Sequence, residues 1–330
     1  METCRSCGCK GIRTCLLCET EHKIQKDTDL NLENGSYVYC PFCNKSFEGW
    51  ECFDYEEHPN HGGKKSYEFP GIYIKLDFLS QSEEEALLNG IDNIPWVHSQ
   101  SGRRKQNYGP KCNFKKKKIQ LGDFKGFPKF SEFVQEKFKQ IKILNNFKTI
   151  EQCSLEYNPQ RGASIDPHID DCWVWGERIV SVNLAADSVL TMTFNSKLQR
   201  YNLEDVSTYP SVLLENGDYN KNYDSFKIIQ QQKFDSYPVI RVPMPRRSLL
   251  VMFGSARYEW EHRILREDIK STRVCLAYRE FTPPFLPGGD KFEKDSSRLV
   301  SLEDESYISA AGVGCEERSA ISRKNLKHHP

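Results

Sequence analysis

Residues 166 to 184 read Asp166-Pro-His-Ile-Asp-Asp-Cys-Trp-Val-Trp-Gly-Glu-Arg-Ile-Val-Ser-Val-Asn-Leu184. In extended chain, side chains at i and i+2 point the same way, so His168 and Asp170 can reach one metal ion while Asp171 faces the other side. Asp166 and Asp171 are second choices for the carboxylate. The β-branched alternation from Ile179 to Leu184 reads as a buried strand, and Ser248 to Phe253 reads as another that leads towards His262. Two imidazoles and one carboxylate on one face of iron(II) leave three positions open, which suits a metal that binds a co-substrate and dioxygen together. Arg273-Val-Cys-Leu-Ala-Tyr-Arg279 alternates as well, which puts both arginines on one strand face. Their fixed, always-charged forks suit a dicarboxylate such as 2-oxoglutarate. The residues thus imply an iron- and 2-oxoglutarate-dependent oxygenase, against the plainer reading of core histidines and a surface arginine strand.

Three stretches carry a family resemblance: Cys7-Gly-Cys-Lys-Gly-Ile-Arg-Thr-Cys-Leu-Leu-Cys18, Ser99-Gln-Ser-Gly-Arg-Arg-Lys-Gln-Asn-Tyr-Gly-Pro110 and Asp166 to Arg178. With the turn Gly254-Ser-Ala-Arg257 before His262, the chain resembles the alkB dealkylases over roughly residues 70 to 285, and within them the alkB homologue 4 subfamily. The resemblance implies that His168, Asp170 and His262 ligate iron and that Arg273 holds the distal carboxylate of 2-oxoglutarate. It also implies that Arg279 lies near the chelating end and that Tyr157 hydrogen-bonds the co-substrate. Two positions depart from the family: the asparagine two before that tyrosine is Leu155 here, and the one two after the first arginine is Cys275. The implied activity is oxidative N-demethylation with formaldehyde release. Its implied substrate is monomethyl-lysine on actin, with effects on actomyosin assembly, or N6-methyladenine in DNA. A function of another class stands beside it, a non-catalytic zinc module that binds nucleic acid or protein.

The chain has 330 residues, 38 % of them hydrophobic, enough for one sizeable core with accessories. Lys plus Arg and Asp plus Glu balance at 46 each, so bulk charge selects no partner. The sequence shows neither a bilayer-spanning apolar run nor a secretory signal, so we expect a protein of the cytoplasm and nucleus that does not bind membranes. In such a reducing compartment thirteen cysteines read as thiols and metal ligands.

Eight of those cysteines crowd the first 52 residues. Cys15-x2-Cys18 and Cys40-x2-Cys43 have the spacing of a zinc ribbon, while Cys7, Cys9, Cys15 and Cys18 form a rival compact set. The resemblance points to the rival set as the subfamily's own feature. His58 and His61 read as loop residues before they read as extra ligands.

Residues 53 to 68 look like a linker, and Phe69 to Leu76 alternates like the first strand of the core. Ser80-x-x-Glu83 reads as a capping box that opens a helix, and Phe130, Phe133, Val134, Phe138 and Ile141 recur at helical spacing. No acidic residue occurs from Asn93 to Gly122, while Arg103, Arg104, Lys105, Lys111 and Lys115 to Lys118 interleave with Tyr108 and Phe114. Such a segment can track phosphates and stack a base, or hold an alkylated ammonium. In the family it belongs to the substrate lid, here Arg103, Arg104, Lys105 and Tyr108; a merely solvated basic loop is the alternative.

The expected architecture is mainly β with flanking helices. A double-stranded β-helix, or jelly-roll, core spans 69–286, with a long insertion at 195–236 that is partly helical or disordered. A Cys-rich, zinc-binding module (1–52) precedes the core and a disordered tail (287–330) follows it.

Overall fold

The computed structural model describes residues 5–26, 30–52, 61–120, 122, 124–195, 201–228, 237–292 and 307–308. In chain order its strands are β1 (Ser36–Cys40), β2 (Lys45–Glu48), β3 (Ser66–Tyr67), β4 (Ile72–Lys75), β5 (Val97–His98), β6 (Arg104–Tyr108), β7 (Lys111–Asn113), β8 (Lys118–Gln120) and β9 (Phe127–Pro128). They continue as β10 (Glu151–Tyr157), β11 (Ile165–His168), β12 (Trp175–Leu184), β13 (Ser188–Phe194), β14 (Val239–Met244), β15 (Leu249–Met252), β16 (Trp260–Ile264), β17 (Arg273–Phe281) and β18 (Tyr307–Ile308). The helices are α1 (Leu16–Glu21), α2 (Gln81–Asp92), α3 (Glu132–Phe138) and α4 (Gly254–Tyr258).

Two seven-stranded sheets, ordered β4-β15-β12-β17-β10-β6-β5 and β11-β16-β13-β14-β1-β2-β3, form the jelly roll expected from the sequence. β12 is buried along nearly its whole length because both of its faces are covered. Val180, Val182 and Leu184 join Leu87 and Ile91 of α2 and Val134 and Phe138 of α3 in one cluster. Ile179 joins Leu190, Met192, Ile240 and Trp260 in a second cluster, which draws on both sheets.

The capping box at α2 is present: Ser80 Oγ accepts from the Glu83 N–H, and the Glu83 carboxylate accepts from the Ser80 N–H. Lys137 of α3 also donates to that carboxylate at 2.7 Å, tying the two helices together.

The leader is not a bead beside this core. β1 pairs in parallel with β14, β2 pairs with β1, and β3 pairs with β2, so the catalytic sheet continues into residues 36–67. The expected linker therefore ends in a strand, at Ser66–Tyr67, while 53–60, including His58, lie outside the described residues. Within the insertion a 3₁₀ helix covers Leu203–Thr208, and 196–200 and 229–236 lie outside the described residues. The buried Glu177 carboxylate accepts the Val212 and Leu213 N–H groups and so fastens the insertion to the core. Of the tail, only 287–292 and the short pairing of β18 with β9 are described. We keep the division into leader, core and tail as a proposed organisation. Among the described residues no helix is long and apolar enough to cross a membrane.

Candidate active site

His168 and His262 are direct register partners on the antiparallel strands β11 and β16, which sets their rings 4.2 Å apart. Two residues beyond β11, Asp170 turns toward them, and the ligand atoms of all three residues lie within 4.8 Å of one another. His168 Nδ1–H donates to the Asp166 carbonyl at 2.9 Å, which fixes the ring and leaves Nε2 to face a metal. Asp170 Oδ1 accepts from Arg279 Nε at 2.9 Å, and Nη2 lies 2.8 Å from it as an ion pair. Its other oxygen, Oδ2, is buried without a hydrogen-bond partner and stands 3.8 Å from His262 Nε2. An orphaned carboxylate oxygen beside two imidazole nitrogens is a costly arrangement unless a cation completes it, so the donor set fits iron(II).

The electrostatics agree. Burial, with the neighbouring arginine charges, holds both imidazoles below their ordinary pKa despite Asp170, and they are neutral ligands near pH 7. Burial alone would raise Asp170, but the Arg279 guanidinium beside it keeps it ionised, far below the usual carboxylate range. Ile169, between the two ligands, is buried in one cluster with Leu203 and Val206, so the insertion braces the His-Ile-Asp segment from behind. Asp166 and Asp171 stay outside the triad. Asp166 faces Arg13, Lys26 and Ser101, and Asp171 accepts from Asn202 at 3.0 Å.

The opposite sheet supplies the other half of the site. Tyr157 is paired with Arg273 and Glu151 with Arg279 across β10 and β17, so all four share one face. Arg273 is 1 % exposed, donates through Nε to Asn183 Oδ1 at 2.6 Å, and lies 4.9 Å above the Tyr157 ring. Asn183 thereby fixes the Arg273 guanidinium, while Leu155 and Cys275 bring no side-chain amide to this face. Arg279 is tied to two carboxylates, Nη1 donating to Glu151 at 2.7 Å and Nε to Asp170 at 2.9 Å, so it sits against the iron ligand it holds. Sequence reasoning missed Asn183 and Glu151 as site residues. Glu151 was signalled by parity, an acid in step with Tyr157 along an alternating strand.

The expected lid divides by strand parity. Lys105 pairs with Leu155 and shares the site face, and the Arg103 guanidinium lies 5.9 Å over the Tyr157 ring. Arg104 and Tyr108 are corrections. They point to the helix-covered face, where Arg104 pairs with Glu156 and lies over Trp96, and Tyr108 packs with Ile94 and Phe127. The lysines Lys111 to Lys118 form a hairpin, β7 and β8, whose Phe114 is half exposed and meets Trp173 edge-on. Cys112 on this hairpin packs, partly buried, against the core cluster that holds Tyr157 and Trp173, and burial pushes its thiol up to about 12.

In the leader, Cys7, Cys9, Cys15 and Cys18 converge within 4.8 Å, with Cys15 and Cys18 Sγ 3.8 Å apart. Thiolates about 2.3 Å from a tetrahedral zinc stand about 3.8 Å from one another, so the cluster has the dimensions of a zinc site. The ribbon that would join Cys15 and Cys18 to Cys40 and Cys43 does not form, because the hairpin carrying the latter belongs to the sheet edge. The four-cysteine cluster docks on the rim of the active site: Cys9 Sγ accepts the Ser101 N–H at 3.2 Å, Arg13 reaches Gln100, and Arg266 pairs with Glu19 at 2.6 Å.

Fold and site together are those of an iron- and 2-oxoglutarate-dependent dioxygenase. No protein-family model matches the chain. It is 39 % identical over 293 residues to the human α-ketoglutarate-dependent dioxygenase alkB homolog 4, covering 88 % of this chain and 91 % of that protein. The mouse counterpart is 37 % identical over 301 residues, with the same coverage of 88 % and 91 %. A DNA N6-methyl adenine demethylase of Caenorhabditis elegans is 33 % identical over 316 residues, covering 90 % and 94 %. The chain belongs to the alkB-like dioxygenase family, in the alkB homologue 4 subfamily.

Proposed function

We propose that this dioxygenase removes the methyl group from N6-methyladenine in DNA. The observation that carries the reading is the basic hairpin whose half-exposed Phe114, flanked in sequence by Lys111 and Lys115 to Lys118, meets Trp173, three residues past Asp170. Lysines offer charge to phosphates and an exposed aromatic face offers a stacking platform, a pairing suited to a splayed-out base. Arg103 and Lys105, on the site face of β6, extend that positive lining. The nematode demethylase, alike over nine-tenths of both chains, supports the same substrate.

In this reading His168, Asp170 and His262 hold iron, and Arg273 receives the distal carboxylate of 2-oxoglutarate. Asn183 and the Tyr157 ring keep the Arg273 fork in place, and Arg279 presents Asp170 with one oxygen free. When bound, iron with 2-oxoglutarate and dioxygen supplies the oxidation of the N-methyl carbon, which leaves as formaldehyde. The cysteines of the leader hold structural zinc and brace the loop at Gln100 and Ser101.

The test is a formaldehyde-release assay on N6-methyladenine DNA and on monomethyl-lysine actin side by side. Release from the DNA, falling steeply as salt rises, is the expected result. Release from actin alone would move the substrate to methyl-lysine and the role to actomyosin assembly.

A further inference from the structure

The leader brings together a second set of metal donors, separate from both the iron ligands and the four-cysteine cluster. β1 ends on Cys40 and β2 begins on Lys45, so Cys40 and Cys43 lie in the turn of the hairpin. The Asn44 N–H donates to the Cys40 carbonyl at 3.0 Å, and Asn44 adopts a left-handed φ of 53°. That tight turn brings both thiols to one side. His61 arrives from beyond β2: its Nε2 lies 3.3 Å from Cys43 Sγ, and its ring stacks on Phe47 of β2 with centroids 3.6 Å apart and planes 11° from parallel. The donor atoms of all three residues fall within 4.8 Å of one another.

Two sulfurs and an imidazole nitrogen form a soft to borderline set that selects zinc over magnesium or calcium. Their spacing, at most 4.8 Å and 3.3 Å between Cys43 and His61, is within reach of tetrahedral zinc, whose sulfur and nitrogen ligands at about 2.3 and 2.0 Å stand about 3.5–3.8 Å apart. A fourth corner remains for water or one further side chain. Stacking on Phe47 orients the imidazole in advance, which lowers the entropic cost of binding.

We propose that Cys40, Cys43 and His61 hold a second structural zinc ion, independent of the four-cysteine cluster. The ion fastens the segment after β2 back onto the hairpin. β1 lies next to β14, and β13 alone separates β14 from β16 with its His262, so the zinc secures the outer edge of the sheet that carries both iron histidines. Its contribution is to the sheet edge and not to the chemistry, since none of its ligands reaches the iron site.

The test uses the full-length chain, purified under reducing, zinc-replete conditions, with zinc counted by elemental mass spectrometry and its ligands read by X-ray absorption at the zinc edge. Two zinc ions per chain are expected, one for each cysteine-containing donor set, with nitrogen as well as sulfur in the average shell. Replacing Cys40→Ala and Cys43→Ala together should remove one ion, shift the remaining shell to sulfur alone, and leave iron-dependent succinate formation in place. Should that variant fail to fold, the zinc count and spectrum of His168→Ala, which cripples zinc uptake at the iron ligands, still decide. One zinc per chain with an all-sulfur shell overturns the proposal, as does undiminished zinc in the double variant.

Discussion

Replacing Arg273 by lysine keeps a positive charge but removes the fork, and the surroundings of this residue set the size of the effect. Arg273 is buried, its Nε is engaged by Asn183 Oδ1 at 2.6 Å, and Nη2 meets only the Met244 sulfur at 3.6 Å. The Nη groups are therefore the donors left for a co-substrate carboxylate, and a single ammonium cannot bond both Asn183 and that carboxylate as the fork does. Loss of one hydrogen bond to a charged group is worth about 1.5–3 kcal/mol. At about 1.36 kcal/mol per decade, the KM for 2-oxoglutarate should rise roughly 10- to 150-fold in Arg273→Lys. The assay is succinate formation over a range of 2-oxoglutarate concentrations. A thermal melt run in parallel separates the cost of orphaning Asn183, about 1–3 kcal/mol of stability, from the co-substrate effect. A KM within about twofold of the unaltered chain would refute the anchor, since an uncompensated loss of even ~1.5 kcal/mol exceeds that.

Three further predictions concern the surroundings of the site. Burial raises Glu177 to about 7, so between about pH 4.5 and 7 the unfolded chain ionises this carboxyl while the folded chain does not. Stability should fall as pH rises through that window, by on the order of 3 kcal/mol, and Glu177→Gln should flatten the melting profile there; parallel profiles would disprove it. Changing Lys115, Lys116 and Lys118 to Ala should make the salt dependence of DNA binding shallower by about 2 in log–log slope, read by fluorescence anisotropy, and an unchanged slope would take the hairpin off the phosphates. Asp166→Ala removes the surface contacts with Arg13, Lys26 and Ser101 but spares the backbone carbonyl that holds His168. Iron affinity by anaerobic titration should therefore stay within a few-fold, and a large loss would mean the leader positions the ligand through that carboxylate.

Much of this arrangement was legible because it depends on local periodicity. Alternation placed Arg273 and Arg279 on one face, and the spacing of His168 and Asp170 survives in the structure because the segment from Ile165 to His168 is extended. The capping box at Ser80 was legible for the same reason, since all of its donors and acceptors lie within one turn. Arg104 and Tyr108 were misread because the inward parity of β6 is set by its register against β10, where Lys105 and not Arg104 meets Leu155. The zinc-ribbon alternative for the leader fails on the same grounds, while the compact set of Cys7, Cys9, Cys15 and Cys18 forms. Nothing in residues 36–40 announces a parallel partner some two hundred residues later in β14, and that pairing is what separates Cys40 and Cys43 from Cys15 and Cys18. Glu151 and Asn183 owe their roles to cross-strand neighbours, which composition does not record.

The central claim is that His168, Asp170 and His262 hold the iron that drives 2-oxoglutarate oxidation. The most direct measurement is succinate production by the iron-loaded full-length chain beside His168→Ala and Asp170→Asn, with circular dichroism confirming that each is folded. Iron-dependent succinate is expected from the unaltered chain and almost none from either variant, because Asp170→Asn keeps the shape but removes the charge that binds the metal. Equal turnover in folded Asp170→Asn would contradict the claim.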